Sequence, residues 1–531
     1  MKVFSLLNPE QAADCYILSD TAANDLSIPY LAARLSAHQN EQAKLEKLLR
    51  QMPTDRRTIA YRQDIYKDLK ANPELAENLY KILDAMQFFV QDKRPSDYEK
   101  STIWELVNRL RGLQNYIESV TKMQELLQGR EFQSEGMRNF AAHIADIYEN
   151  SGFDALTEDL KVLSEGVDQV RSMTLGVNLD QNLQPIRVGI VSFNRFVFDD
   201  KGILKRFLTH HSQKLMTKDD IPPFDMMTHQ EKYERVPTGL MNNLTGVVEQ
   251  MLPSVTRSLK TELQKYIDLS GEELARCGEE LLFYLRCIKL EQKLAEKGMP
   301  CCEPEFSDDD TQFCDLYNVK LALCEDSGEV VCNDLKFTKD KTVLILTGPN
   351  RGGKTILTQG IGLAVLLFQH GVFVPCRSGK IRPCDGIFTH FPADENRTVT
   401  LGRLGEESAR FRSIWEQATG DSLLLMNESF ATTSHSESLY IAEDVLKCLC
   451  CVGIRTCYNT HMHELAEHTE RLQSERSVCG AASVLMGRCG SENAFRIRYE
   501  KPNGKSYAHE IAQQYGITLE QLSEKLNERE D

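Results

Sequence analysis

Residues 341–355 read KTVLILTGPNRGGKT. Lys341 to Thr347 is a short apolar run with polar flanks, the pattern of a buried strand. Gly348-Pro349-Asn350-Arg351-Gly352-Gly353-Lys354-Thr355 fits G-x-x-x-x-G-K-[ST], and a helix is expected to follow. Strand, glycine-rich turn and helix in that order are the setting of a phosphate-binding loop. Glycines let successive backbone N–H groups turn inward around phosphate oxygens. The helix beginning near Lys354 aims the positive end of its dipole at the same anion. Lys354 is then placed to reach the β- and γ-phosphates, and the Thr355 hydroxyl to ligate Mg²⁺. The plain alternative is a chance glycine-rich turn, and motif plus context argue against it.

Further short apolar runs lie at residues 422–426 and 454–459, each followed by polar loop and helix. Strands alternating with helices predict an α/β domain with a largely parallel sheet. Upstream, MPCCEPEFSDDDTQ (residues 299–312) has the composition of a linker or boundary loop. Before it the texture is helical. Ile103, Leu106, Val107, Leu110, Leu113, Ile117, Val120, Met123 and Leu127 keep three- and four-residue spacing, predicting one long helix. Residues 136–172 read the same way. Leu274, Cys277, Leu281, Leu285 and Ile288 form another stripe, stopped near Gly298. Between the helical parts, MTLGVNLDQNLQPIRVGIVSFNRFVF predicts a small β ribbon. Residues 1–300 are thus expected to be a helical region with an insert at 172–235, and 301–531 an α/β domain.

The chain has 531 residues, 62 Lys and Arg against 78 Asp and Glu, and a net charge of −16. It is therefore not a basic nucleic-acid coat as a whole, although a local basic stripe stays open. Sixteen cysteines without regular spacing read as reduced thiols in a cytoplasmic protein. The N-terminal stretch turns polar too soon for a secretory signal, and no apolar run approaches the roughly 18 residues of a membrane span. Secreted, membrane-spanning and disordered classes drop out.

TGPNRGGKT resembles the phosphate loop of the MutS mismatch-repair ATPases, in which Gly-Pro-Asn-x-Gly-Gly-Lys is more specific than the bare motif. The similarity runs from Asn333-Asp334 to the end of the chain. It implies an ATP-binding-cassette-like P-loop NTPase fold (MutS domain V), with ATP and Mg²⁺ as ligands. The helical region resembles the MutS core, lever and clamp more weakly, and the chain is expected to begin near the core domain. No counterpart of the mismatch-reading domain or its Phe-x-Glu motif is recognised.

Leu423 to Met426, ending in Asn427-Glu428, lies 74 positions beyond Lys354 and resembles a Walker B strand. The family's aspartate, which holds Mg²⁺ through water, is Asn427 here. An amide oxygen still accepts from a metal-bound water but supplies no charge, so Mg²⁺ is expected to bind less well. Glu428 remains as the candidate base. The loop Ser429 to His435 keeps the family's threonines and Ser434 without its glycines. Thr460-His461-Met462-His463-Glu464-Leu465 resembles the switch segment, which makes His461 the γ-phosphate sensor. A metal site at these histidines is the alternative, though zinc-helix spacing is absent. Thr400 to Glu407 stands at the position of the signature segment, without its serine-threonine pair and with Arg403 nearby. The aromatic that stacks on adenine in the family is Val330 here. Gly504 to Ala512 resembles the segment leading to a helix-turn-helix at the dimer seam. Gly516 makes the turn, and Thr518 with Gln521 forms a capping box.

Arg187, Arg195, Lys205 and Arg206 belong to a ribbon of seven cations and two aspartates between Pro185 and Lys218, interleaved with phenylalanines. This is a candidate clamp on a DNA backbone, weighed against a solvated hairpin. The resemblance implies a homodimeric ATPase that couples ATP to DNA binding, with structured or branched DNA preferred over mismatch reading and RNA left open. Its competitor is a nucleotide-gated DNA- or protein-binding module with weak or no hydrolysis. A chromosome-maintenance-type ATPase fits less well, because only 74 positions separate the two nucleotide motifs.

Overall fold

The computed structural model describes residues 4–9, 15–86, 101–168, 170–196, 252–269, 271–324, 330–349, 352–392, 402–432, 434–487, 494–502, 513 and 515–527. The first described elements are β1 (Cys15–Ile17), α1 (Asp20–Asp25), α2 (Ile28–Leu35), α3 (Gln39–Arg50) and β2 (Gln51–Pro53). Helices α4 (Arg56–Ala71), α5 (Pro73–Ala85), α6 (Ile103–Leu127), α7 (Glu135–Tyr148) and α8 (Ser151–Asp168) follow. Then come β3 (Ser172–Leu179), β4 (Pro185–Asn194), α9 (Pro253–Gln264) and α10 (Glu272–Glu296). The chain divides into two compact units. One holds Met1–Glu77, Glu131–Asn139 and Glu279–Asp531, the other Asn78–Arg130 and Phe140–Gly278.

In the second unit, α6 covers the predicted span. Thr102 caps it in a capping box with Glu105, which satisfies two backbone donors at the helix start. Ile103, Leu106, Leu110, Leu113, Val120, Met123 and Leu127 are buried, as their spacing demands. Residues 136–172, read as one helix, split into α7 and α8. The break falls at Asn150, whose side chain accepts from the Gly152 N–H at 2.8 Å. The ribbon is an antiparallel hairpin of β3 and β4.

The first unit continues with β5 (Glu305–Phe306), β6 (Thr311–Leu316), α11 (Val319–Ala322), β7 (Asn333–Phe337), β8 (Lys341–Thr347) and α12 (Lys354–Gln369). After these come β9 (Ser378–Ile381), β10 (Ile387–His390), α13 (Gly402–Trp415), β11 (Leu423–Asn427), α14 (His435–Val452) and β12 (Arg455–Asn459). The last are α15 (His463–Glu467), β13 (Gly480–Met486), β14 (Ile497–Arg498) and α16 (Leu519–Asn527). One sheet has six strands in the order β10-β11-β12-β8-β13-β14, and only β14 runs antiparallel to its neighbour. Its inner strands are buried on both faces, which is why they read as continuous apolar runs. Leu424 and Met426 face a core shared with Leu446 and Leu449 of α14. On the opposite face α12 is buried on nearly every side. A Cβ at Gly362 of α12 would fall 2.6 Å from Cδ1 of Leu425 and 2.4 Å from Cδ2 of Leu26, so any larger residue would have to displace both leucine side chains. The N-terminal helices thus help bury the sheet: Gln359 donates to the Asp25 carbonyl at 2.6 Å and Thr389 to its carboxylate at 2.6 Å.

The stretch 299–312 is not a linker. Cys302 makes an antiparallel bridge with Val374, and β5 and the start of β6 join a second sheet of order β5-β9-β6-β7. Its aspartates Asp308 to Asp310 lie in the turn between β5 and β6, where Asp309 pairs with Lys339 and Asp310 with Lys336. At the other end, Gly504 to Ala512 lie outside the described residues. Gly516 has φ 69°, and the Gln521 N–H donates to the Thr518 hydroxyl at 3.4 Å ahead of α16. Among the described residues no helix is long and apolar enough to cross a membrane.

Candidate functional site

The turn after β8 depends on its glycines. Gly348 has φ 140°, and a Cβ there would lie 2.8 Å from both Cβ and O of Met486. At Gly352 a Cβ would meet the Pro349 carbonyl at 2.9 Å. Gly353 takes the N-cap of α12 with φ 87°, a backbone state that glycine enters freely. Lys354, only 5% exposed, donates from Nζ to the carbonyls of Gly348 at 3.1 Å and Pro349 at 3.2 Å. Burial lowers its pKa, and the Glu428 carboxylate opposes that shift. Asn350 and Arg351 lie outside the described residues.

The sheet then sets the next residues beside this loop. Strands β11 and β12 are parallel neighbours in the register Asn427 to Asn459, so both side chains end at the same level. The Thr355 hydroxyl donates to Asn427 Oδ1 at 3.0 Å. Asn459 Nδ2 donates to Thr355 Oγ1 at 3.3 Å and also to Asn427 Oδ1. Asn459 Oδ1 is buried without a partner. Glu428 has φ 50°, a left-handed state uncommon for a side-chain-bearing residue. Its N–H donates to the Asn459 carbonyl at 2.9 Å. Its Oε1 stands 2.9 Å from Nε2 of His461.

These groups open on one cavity of about 880 Å³. Lys354, Thr355, Glu428 and His461 line its polar side, and Leu316, Tyr317, Val331, Met486 and Phe495 its apolar side. Phe495 is fixed by Asn333, which donates from Nδ2 to its carbonyl at 3.0 Å and accepts from the Ile497 N–H at 2.7 Å. A Cβ at Gly353 would lie 3.4 Å from the Phe495 ring, so the ring leans on the glycine loop.

Residues 344–525 match the model of MutS domain V, and residues 54–297 that of the MutS2 N-terminal domain. The chain is 32% identical over 279 residues to the DNA mismatch repair protein MutS of Chlorobium phaeobacteroides, covering 51% of this chain and 32% of that protein. The chain belongs to the MutS-like family. The protein of the same name from Myxococcus xanthus is 27% identical over 289 residues, 51% of this chain and 31% of its own length. That from Chlorobium chlorochromatii reaches 39% identity over 142 residues, 27% of this chain and 16% of the relative. The chain thus spans about a third or less of the curated relatives it matches. The domain V match takes in the glycine loop, Asn427, Glu428 and His461. The MutS2 match over the helical region is a name that the sequence reading did not reach.

In this MutS-like chain the loop after Glu428 keeps a left-handed residue without glycine. Phe430 has φ 63° and is buried against the rings of His390 and Phe411. His390 Nε2 meets the Glu407 carbonyl at 3.0 Å and Nδ1 the Ser429 hydroxyl at 2.7 Å. A carbonyl only accepts, so Nε2 carries the proton of the neutral ring, and the Ser429 hydroxyl donates to the His390 carbonyl at 2.9 Å. Burial keeps the ring neutral, with its pKa pushed down to about 4. Burial also raises the Glu407 pKa. Glu407 is on α13. Thr400, Leu401 and Thr433 lie outside the described residues. Ser434 and His435 begin α14, with His435 Nε2 2.9 Å from Glu464. Among the described residues no group of three or more His, Cys, Asp or Glu is placed to hold a metal ion.

Val330 does not line the cavity, whereas Val331 does. Of the ribbon cations, only Arg187 and Arg195 fall among the described residues. Arg187 pairs in register with Asn178, Arg195 is exposed beyond β4, and Lys205 and Arg206 lie outside the described residues. Sequence reasoning missed Asn459, Phe495 and His390. Asn459 carried a signal, a polar residue closing an apolar run just before Thr460. Phe495 and His390 carried none, because their places depend on tertiary contacts.

Proposed function

We propose that the chain is an ATP-binding protein with a P-loop, ATP-binding-cassette-like domain at 301–531, and that it hydrolyses ATP slowly. The observation that carries this reading is the Lys354 ammonium resting on the Gly348 and Pro349 carbonyls at the edge of the 880 Å³ cavity. Phosphate oxygens would take the place of those carbonyls, and the backbone N–H groups after Gly348 would close around them. Phe495 offers the aromatic face that Val330 does not, so the base of the nucleotide belongs on the apolar side.

The donor set fits a hydrated Mg²⁺. Thr355 Oγ1 and Asn427 Oδ1 face each other at 3.0 Å, and the orphaned Asn459 Oδ1 adds an oxygen acceptor. Bound there, the ion would offset the charge on the phosphates. Glu428 would accept a proton from the attacking water or orient it, held in place by His461. No carboxylate stands at Asn427, so the site has little negative charge to hold the ion, and turnover should be slow.

Residues 1–300 would form a helical region that carries the β3–β4 ribbon, with Arg187, Arg195, Lys205 and Arg206 as contacts to a DNA backbone. Tyr515, Ile517, Leu519 and Leu522 around α16 are exposed apolar residues, Leu519 at 81%, and they suit a seam between two copies of the chain. We read the output as ATP-controlled binding of structured or branched DNA by a cytoplasmic homodimer. The neutral Asn427 favours a second reading, a nucleotide-gated binding module without turnover. Binding to duplex, mismatched and branched DNAs with and without ATP, beside phosphate release, tests both. ATP-insensitive binding to every DNA would oppose the coupling.

A further inference from the structure

Two cysteines that the nucleotide site does not use lie against each other behind its wall. Cys302 follows α10, and Cys376 precedes β9. Their sulfurs are 3.4 Å apart. The backbone fixes this approach. The Cys302 N–H donates to the Val374 carbonyl at 3.0 Å, and the Val374 N–H returns the bond at 2.8 Å. Cys376 lies on the bend that follows, where its N–H turns back to the Val374 carbonyl at 2.8 Å and keeps it beside Cys302. Closure to a bond of about 2.05 Å requires a movement of little more than 1 Å. Cys376 is buried and Cys302 half-buried, so solvent reaches only one partner.

We propose that Cys302 and Cys376 form a redox-active dithiol, closed to a disulfide by low-molecular-weight disulfides and reopened by thiols, that adjusts the wall of the cavity. With Cys376 buried and Cys302 half-buried, Cys302 is the partner that meets the oxidant, and an S–H from Cys376 toward its sulfur would favour the Cys302 thiolate. That thiolate attacks one sulfur of oxidised glutathione, breaks its S–S bond and releases one glutathione thiolate. Cys376 then gives up its proton and attacks the Cys302 sulfur, releasing the second glutathione. The two protein thiols lose two electrons and two protons, and both appear on two molecules of reduced glutathione.

The pair is joined to the cavity by short paths. The Tyr317 N–H donates to the carbonyl of Pro375, the residue before Cys376, at 3.2 Å. The Tyr317 hydroxyl is 3.3 Å from the sulfur of Cys301, the residue before Cys302. Tyr317 lines the cavity. Drawing Cys302 and Cys376 together therefore pulls on both ends of one wall residue. This coupling rests on the nucleotide reading above, whereas formation of the bond does not.

The full chain is equilibrated in glutathione buffers of increasing oxidised fraction, alkylated, digested and analysed by mass spectrometry. The expected product is a linked peptide pair containing Cys302 and Cys376, reversed by dithiothreitol. Cys376→Ser should leave glutathione trapped on Cys302, and Cys302→Ser should leave Cys376 unmodified. Glutathione on the exposed Cys15, Cys314 and Cys448 with no Cys302–Cys376 link would overturn the site. So would linkage of Cys302 to another cysteine. A fluorescent ATP analogue is then titrated into oxidised and reduced protein, with a severalfold difference in affinity expected for the parent and none for Cys302→Ser. Equal affinity in the linked parent would overturn the coupling. Failure of both forms to bind nucleotide while the link forms would instead reject the nucleotide reading.

Discussion

Oε1 of Glu428 lies 2.9 Å from Nε2 of His461, joining the residue after β11 to the residue that follows Thr460 beyond β12. The two strands are sheet neighbours, so the contact is set by register and not by loop chance. A carboxylate held this way has one fixed oxygen, and the other is left to meet a water. Replacing His461 with Ala frees the carboxylate to rotate. Turnover is expected to fall at least about tenfold, while ATP affinity changes much less. Phosphate release together with nucleotide titration measures both, and unchanged turnover would detach His461 from the reaction.

Lys354→Ala removes the charge aimed at the phosphates. A hydrogen bond to a charged group contributes about 1.5–3 kcal/mol, so affinity should drop roughly tenfold to a hundredfold. The fold should persist, since the Lys354 side chain bonds to loop carbonyls and the backbone carbonyl that accepts from Thr358 is kept in alanine. Calorimetric titration with ATP, beside thermal unfolding of both proteins, is the check. Equal affinity would remove the loop from the site.

Phe495→Ala tests the base. Stacking of a base on an aromatic ring contributes about 1–3 kcal/mol, so nucleotide affinity should weaken at least severalfold. Inorganic triphosphate, which has no base, should bind both proteins alike. A matching loss for triphosphate would mean that Phe495 supports the glycine loop and not the base.

The two buried histidines give stability a pH dependence. His390 is held near pKa 4 and His370 near 3 by burial, both below their ordinary value of 6.5. The unfolded chain therefore binds more protons than the folded one as pH falls below 6.5. Each histidine's contribution is complete above that pH and is lost on acidification toward the folded pKa. Between pH 7 and 5 each should remove on the order of 2 kcal/mol. Urea unfolding across this range should be steeper for the parent than for His390→Gln. Parallel curves would show that the ring is not neutral when folded.

The glycine loop was legible as a turn between strand and helix because Gly348, Gly352 and Gly353 each meet a steric or backbone demand at fixed spacing. Helix α6 was legible because its apolar stripe is local and regular. The part that Cys302 and Val374 play in the second sheet was not. That pairing joins residues 72 apart, and no local period announces it. The same limit hid Phe495, which reaches the cavity through Asn333 of a distant strand. Nor did the sequence disclose that Leu26 packs against Gly362, which draws the N-terminal helices into the same unit as the sheet.

In the proposed reaction Glu428 acts on a nucleotide whose ion is weakly held by the neutral Asn427. Asn427 Oδ1 already accepts from Thr355 and Asn459, so an aspartate would keep both bonds and add a charge. The measurement is steady-state phosphate release at saturating ATP and Mg²⁺ by the parent, Asn427→Asp and Glu428→Gln. We expect slow release by the parent, faster release by Asn427→Asp and none above background from Glu428→Gln. Release by Glu428→Gln at the parent's rate would contradict the claim, as would an Asn427→Asp protein no faster than the parent.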